Sequence, residues 1–174
     1  MFIIGAHLST HNGYAKMAQQ AHMIKANTFQ FFIRNPRGAR AKTLNLEDVD
    51  EMAQIMKQYK MPIIQAYASY VMNFASKSLQ TQKYSQQLLN EDLKRLTHFP
   101  NNLYAFHPGN HDGQGIDKAI NLIADALNKT LTDDLKTQVL LVTTAGESTQ
   151  VGSTFEQLQK IIEKVELNDK LGVC

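Results

Sequence analysis

The chain has 174 residues and only one cysteine, Cys174, so no disulfide can form within it. A single thiol is typical of proteins that fold in a reducing compartment. No apolar stretch approaches the roughly 20 residues that span a bilayer. The first residues, Met1 to Gly5, lack the basic region and apolar core of a secretory signal. These absences argue against a disulfide scaffold and a membrane protein, and they predict a cytoplasmic protein.

An excess of charge of either sign is also missing. The net charge is +2, which by itself does not predict nucleic-acid binding, so any such case depends on local clustering. One cluster exists: residues 34–42 read Arg-Asn-Pro-Arg-Gly-Ala-Arg-Ala-Lys and hold four cations. We call residues 34–42 the basic loop. Cations of this kind contact phosphates, and Gly and Pro let a backbone approach closely, although a solvated basic turn is the alternative.

Short apolar runs alternate with segments of helical spacing along the whole chain. Strands are predicted at residues 2–6, 28–33, 62–65, 103–106 and 138–142, and a sixth strand starts at 171–174. Helices are predicted at residues 14–26, 46–59, 82–96, 116–127 and 154–165. Such alternation indicates βαβ units and a parallel sheet. We predict one α/β domain over residues 1–174, an incomplete (β/α)₈ TIM-type barrel of about five βα units plus the start of a sixth strand, with a doubly wound sheet as the alternative.

Polar residues follow nearly every predicted strand, at the edge where parallel sheets place their chemistry. They include His7, the basic loop, Tyr67 to Tyr70, and the hexapeptide Phe106-His107-Pro108-Gly109-Asn110-His111. Two histidines at a strand end suggest a metal or phosphate site. A catalytic zinc needs at least three protein ligands, so other strands would have to supply the rest. A lone histidine there is more often structural, but several polar strand ends together favour a shared site.

Four segments together resemble the signatures of the endonuclease IV family. They are residues 5–9 (Gly-Ala-His-Leu-Ser), the hexapeptide 106–111, residues 144–146 (Thr-Ala-Gly) and residues 171–174 (Leu-Gly-Val-Cys). The similarity is collinear over the whole chain. The resemblance implies a (β/α)₈ barrel, a trinuclear zinc site, and hydrolysis of the phosphodiester 5′ to an abasic site in duplex DNA.

The match to the family's metal ligands is partial. The resemblance places His107 on a zinc-binding histidine, Tyr67 where the family has another histidine, and Val142 where it has a metal-bridging glutamate. The remaining family ligands would lie beyond Cys174. Valine has no lone pair, and a phenol with a pKa near 10 is a poor ligand at neutral pH. Zinc is therefore the cofactor that the resemblance implies, but one histidine does not predict zinc binding here, and we expect the chain alone to lack normal family activity.

The DNA-contacting residues of the family are better matched. The resemblance implies that the basic loop enters the minor groove, that Arg37 fills space around the lesion, and that Tyr70 contacts DNA from a neighbouring loop. Asn35 and Arg40 of the same loop are further candidates for DNA contact. His7 and His111 are the remaining candidate pocket residues.

Three functional interpretations remain open at this stage. They are an abasic-site endonuclease that is active with a partner, a non-catalytic DNA-binding relative, and a related barrel that acts on a sugar. An incomplete barrel also leaves open strand edges and apolar barrel-facing side chains. We therefore expect a homo-oligomer or a complementing chain as partner, besides DNA.

Restoring the two replaced ligands tests the interpretation of the metal site. We expect that the double variant Tyr67→His, Val142→Glu does not regain full activity on an abasic-site duplex with added zinc, because the family's other ligands would lie beyond Cys174. The measurement is strand nicking with a chelator control. Robust chelator-sensitive nicking by the double variant alone would contradict this interpretation.

Overall fold

A single sheet of six parallel strands forms the framework. The computed structural model describes residues 2–174. The strands are β1 (Gly5–His7), β2 (Thr28–Phe32), β3 (Ile64–Tyr67), β4 (Asn102–Phe106), β5 (Gln138–Leu141) and β6 (Leu171–Val173). Helices α1 (Tyr14–Met23), α2 (Leu46–Gln58), α3 (Leu79–Leu96), α4 (Ile116–Asn128) and α5 (Phe155–Glu163) lie between them, and a 3₁₀ turn, Asn168–Lys170, precedes β6. The predicted βα alternation is confirmed.

The order of the strands distinguishes the two predicted architectures. Neighbours in the sheet follow the chain strictly, from β1 to β6, and every pair is parallel. A doubly wound sheet reverses its order at a switch point, whereas a TIM barrel adds each strand beside the last. The sheet is therefore barrel-like, and it is not closed, because β1 and β6 each have one neighbour among the described strands.

The two faces of the sheet differ in how they are covered. Alternate strand residues, such as Phe31, Tyr104 and Leu141, join one large core with helix residues such as Met52 and Ile123. On the opposite face Ala105, Leu140 and Val142 form a second, smaller cluster. The period of two along each strand sets this division. The helices cover the first face, and the second is the face that lines the inside of a barrel.

One contact across the inner face shows how strongly the sheet curls. The side-chain amide of Gln65 on β3 lies 3.6 Å from the Sγ atom of Cys174, which follows β6. Two strands, β4 and β5, separate β3 from β6 in the sheet. In a flat sheet three strand spacings would separate these residues by roughly 14 Å, so the contact requires the curvature of a barrel wall.

Helix α1 begins with help from its neighbour α2. The Oδ2 atom of Asp48 accepts a hydrogen bond from the backbone N–H of Tyr14 at 2.6 Å, and Oδ1 accepts one from Ala15 at 3.1 Å. Gly13, the residue before α1, has φ 98°, and a Cβ there would lie 2.9 Å from the Asp48 carboxylate. A carboxylate at this end also complements the helix dipole.

Several predicted boundaries were wrong by a few residues. Strand β1 was placed at residues 2–6, but its pairing with β2 starts only at Gly5, opposite Thr28. Helix α1 ends at Met23 rather than near residue 26, and Lys25 adopts a left-handed φ of 62°. Helix α3 begins at Leu79, not at residue 82.

Among residues 2–174, no helix combines the length and apolarity needed to cross a membrane.

Candidate functional site

The candidate site lies at the carboxyl ends of the strands. His7 and Tyr67 are the last residues of β1 and β3, while His107 and Val142 directly follow β4 and β5. Because all strands are parallel, these positions share one edge of the sheet. The structure therefore places the sequence-predicted residues of the first, third and fourth strands on the same rim.

Tyr67 and His107 contact each other directly. The Tyr67 hydroxyl lies 2.9 Å from Nε2 of His107, and which group donates the hydrogen bond depends on the histidine tautomer. Burial raises the pKa of Tyr67 to about 12, with smaller contributions from Tyr70 and Cys174. Burial also lowers the pKa of His107. At neutral pH the pair is therefore an uncharged phenol bonded to an uncharged imidazole.

Val142 gives the site an apolar floor. Its side chain is 9% exposed, and it packs with Ala105 and Leu140 on the inner face of the sheet. An aliphatic side chain at this position offers no electron pair to a cation. Across residues 2–174, no group of three or more His, Cys, Asp or Glu side chains is placed to hold a metal ion.

Aromatic rings surround the Tyr67–His107 pair. Phe32 lies 5.8 Å from Tyr67 and 5.6 Å from Tyr70, measured between ring centroids. Tyr70 lies 5.6 Å from the His107 ring, and His7 lies 4.5 Å from Phe32. We call these five residues, His7, Phe32, Tyr67, Tyr70 and His107, the aromatic cluster. Its separations fall in the range of attractive aromatic pairs.

Phe32 is a member of the aromatic cluster that the sequence analysis missed. It is the last residue of β2, and the period of two puts it on the same face as Gln30. Gln30 in turn lies 2.9 Å from Nδ1 of His7. Its position near the end of the strand predicted at residues 28–33 was the available signal, but no site role was predicted for Phe32.

The basic loop contains one residue whose expected role was wrong. Arg34 was counted among the cations that contact phosphate, but its side chain is 1% exposed. Its Nε and Nη2 atoms lie 2.8 and 2.7 Å from Oδ1 of Asp92 on α3. Tyr104 on β4 donates a hydrogen bond to the other carboxylate oxygen at 2.8 Å. Arg34 is thus committed to a buried network, and it is unavailable to a ligand.

That network and a neighbouring turn hold the basic loop in place. The Arg34 guanidinium donates to the carbonyl of Ala39, within the loop. The Ser69 hydroxyl lies 3.1 Å from the carbonyl of Pro36 and 2.9 Å from that of Gly38, and the backbone N–H of Tyr70 donates to Pro36 at 3.0 Å. The loop is therefore anchored on both sides.

The loop leaves its other cations exposed. Arg37, Arg40 and Lys42 are exposed, and the Asn35 side chain accepts a hydrogen bond from the backbone N–H of Arg37. Arg40 and Lys42 also line a cleft of about 950 Å³ between the β1–α1 and β2–α2 connections. His7 and His11 line the opposite wall. Of the described residues that line this cleft, none is Asp or Glu.

His111 has a local structural contact. Its Nδ1 atom accepts a hydrogen bond from the backbone N–H of Gly113 at 3.1 Å. The backbone N–H of His111 donates to the backbone carbonyl of Thr149 at 2.9 Å. These bonds shape the turn after the His-Pro-Gly segment. Participation of His111 in a pocket stays a prediction.

Comparison with known proteins places this geometry in context. The family model described as "Xylose isomerase-like TIM barrel" matches residues 18–174. A protein of Methanosphaera stadtmanae named "Probable endonuclease 4" is 49% identical over 174 residues, which are 100% of this chain and 63% of the relative. A protein of the same name from Alkaliphilus oremlandii is 45% identical, again over 100% of this chain and 62% of the relative. The chain thus spans less than two thirds of the length of these relatives.

Solved structures share the fold at lower sequence identity. Endonuclease IV from Thermus thermophilus superposes with a TM-score of 0.81 at 22% identity, covering 98% of this chain and 62% of that one. A D-tagatose 3-epimerase-like protein superposes with a TM-score of 0.73 at 12% identity, over 98% of this chain and 64% of that one. At these identities the likeness shows the fold alone.

The buried ion pair between Arg34 and Asp92 should contribute to the stability of the fold. We expect Asp92→Asn to lower the free energy of unfolding by about 3 to 5 kcal/mol, because it leaves the Arg34 charge buried without its partner. Glu91 also lies 3.3 Å from Arg34, but its side chain is 47% exposed. Glu91→Gln is the matched control and should cost at most about 1 kcal/mol. Urea unfolding followed by circular dichroism measures both, and equal midpoints would contradict the assignment.

Proposed function

We propose, from the premise that this chain belongs to the xylose isomerase-like TIM barrel family, that it binds duplex DNA at abasic sites and, acting alone, does not cut it. The DNA part is supported by curated relatives that carry the name probable endonuclease 4 and by the anchored basic loop. The residues that we assign to DNA contact are Asn35, Arg37, Arg40 and Tyr70.

The basic loop has the features that backbone recognition needs. Arg37 and Arg40 are exposed, and arginine is suited to bidentate contacts with phosphate oxygens. The loop's carbonyl groups are already bonded to Ser69 and to the Tyr70 backbone. A loop that is ordered before binding loses less conformational entropy on binding.

The proposal that the chain alone does not cut DNA is supported by the side chains at the strand ends. Where the resembled family has two histidines and a bridging glutamate, this chain presents His107, the hydroxyl of Tyr67 and the aliphatic Val142. The imidazole Nε2 atom already bonds to the Tyr67 hydroxyl. Carboxylates that would bridge cations and offset their charge are missing from this donor set. These residues do not fit a cluster of zinc ions.

The direct test uses a duplex oligonucleotide that contains one abasic-site analogue. We expect the purified protein to shift the lesion duplex in preference to an intact duplex, and to leave it unnicked with either added zinc or a chelator. Arg37→Ala should weaken binding and reduce the slope of log K against log salt by about 1, because one phosphate contact is lost.

Lys83→Ala is the control for that variant. Lys83 lies on α3, is exposed and is separate from the basic loop, so this variant should keep the parent's affinity and salt slope. Chelator-sensitive nicking 5′ to the lesion would overturn the non-catalytic part. Equal affinity for lesion and intact duplexes would overturn the lesion-specific part.

A protein partner is a further part of the proposal, either a second copy of this chain or a separate chain that supplies strands. Its support is the exposed apolar segment at the amino end of β1. Phe2, Ile3 and Ile4 lie beside the β1 edge, and all three are exposed. Unpaired strand edges next to apolar side chains favour pairing with another strand.

Sedimentation velocity tests self-association. We expect a dimer or a larger species at micromolar concentration, and a shift towards the monomer for Phe2→Ser. Phe155→Ser is the matched control, because Phe155 on α5 is 79% exposed, close to the 80% of Phe2, but lies away from the β1 edge. A single monomeric species for the parent protein would contradict self-association.

A further inference from the structure

We propose that the aromatic cluster is a stacking platform for unpaired nucleobases of a single-stranded nucleic acid. The inference rests on the proposed function for the nucleic-acid class of the ligand, and it goes beyond duplex recognition. It assigns a binding role to Tyr67 and Phe32, which lie where the strand ends meet.

The cluster forms a connected surface of rings. Phe32 is within 6 Å of three other rings, at 4.5 Å from His7, 5.8 Å from Tyr67 and 5.6 Å from Tyr70. Tyr67 and Tyr70 are 6.1 Å apart, and His107 is 5.7 Å from Tyr67. Tyr67 and Tyr70 each connect Phe32 to His107, and the planes of these contacting rings are inclined by 46° to 75° to one another.

The surface is accessible from one side and supported from the other. Tyr70 is 59% exposed, while Phe32, Tyr67 and His107 are partly buried. Ala105 and Val142 lie on the same inner face of the sheet and form an apolar support. A planar ligand therefore meets rings that packing already holds, and its stacking removes apolar area from water.

The exposed ring of Tyr70 stands on a fixed backbone. Its N–H donates to the carbonyl of Pro36, and the preceding residue, Ser69, is buried with its hydroxyl close to two loop carbonyls. A tyrosine has only two side-chain torsions, so little entropy is lost when it stacks.

The charges around the cluster select among planar ligands. Arg37, Arg40 and Lys42 belong to the loop whose Pro36 carbonyl anchors Tyr70, and no acidic side chain lines the adjoining cleft in the described part of the chain. This field repels an organic cation, the other ligand class that aromatic cages bind. It attracts an anionic backbone that carries bases, and aromatic rings beside a basic groove are the arrangement that binds single strands.

The base must be unpaired because a duplex hides its faces. In a duplex each base face is covered by its neighbours, whereas in a single strand a base can leave the stack and meet an aromatic side chain. Stacking reads the ring face, which every base has, so we expect weak dependence on sequence.

Two matched pairs of variants test the platform, with a labelled oligothymidylate of about ten nucleotides as the probe. Tyr67→Phe keeps the aromatic ring and should keep the affinity for the oligonucleotide. Tyr67→Leu removes the ring and should weaken binding. Tyr70→Ala should also weaken binding, and Tyr84→Ala, an exposed tyrosine on α3, should not. We expect losses of about 5- to 100-fold for the two ring-removing variants, with the salt slope unchanged because no phosphate contact is lost.

Intrinsic fluorescence gives a second readout. The chain has six tyrosines and no tryptophan, so tyrosine emission reports directly on the rings. We expect oligothymidylate to quench it in the parent and to quench it less in Tyr70→Ala. Thymidine monophosphate as competitor distinguishes a free mononucleotide from a single strand as the source of the base. Competition at a concentration similar to that of the oligonucleotide would indicate a mononucleotide site and overturn the single-strand assignment. Competition only at large excess supports a single strand.

The outcomes separate this inference from the proposed function. Equal single-strand affinity for Tyr67→Phe and Tyr67→Leu, together with unchanged binding by Tyr70→Ala, overturns the platform even when lesion duplexes are bound. Ring-dependent single-strand binding without any preference for a lesion duplex supports the platform and overturns the duplex proposal. Thermal unfolding of each variant identifies those that are folded. Tyr70→Ala alters an exposed side chain, so we expect this variant to fold and to test the platform even when the Tyr67 variants do not fold.

Discussion

The buried ion pair between Arg34 and Asp92 is the interaction on which the candidate surface depends. A guanidinium and a carboxylate that are both removed from water are tolerated only when their hydrogen bonds are satisfied, and here Tyr104 and the Ala39 carbonyl complete the set. Burial raises the pKa of Asp92, while hydrogen bonds from Arg34 and Tyr104 oppose that shift. The pair joins β2, α3 and β4 at one point, so the basic loop starts from a rigid base although the loop itself is at the surface.

The rim above that base combines a barrel framework with aromatic and aliphatic side chains. The strands still bring four side chains to one edge, as the barrel architecture requires. In this chain an uncharged phenol–imidazole pair and a valine occupy that edge. The rings and an aliphatic side chain give this edge an apolar surface, and such a surface favours flat ligands over ions.

Much of the fold could be predicted from the sequence, because each buried strand is a short apolar run and each helix has its own period. The predicted resemblance to the endonuclease IV family is confirmed, as is the incomplete barrel. Predicted boundaries were wrong where they depend on pairing with another strand. The start of β1 is set by its pairing with Thr28 on β2, and no local sequence pattern encodes that pairing. The burial of Arg34 could not be predicted for the same reason, since Asp92 is 58 residues away along the chain. The grouping of Tyr67 with His107 was predicted, because parallel strands end at a common edge.

The start of helix α1 has a consequence for what the cleft beside it can recognise. The backbone N–H groups of Tyr14 and Ala15, which at a free helix end would present fixed donors to an anion, are already bonded to Asp48. An anion in the cleft therefore meets side chains such as Arg40, Lys42 and His11 rather than the N–H groups of the helix. Long cationic side chains respond to the amount of charge more than to its shape, so this cleft should discriminate poorly among phosphate, sulfate and carboxylate.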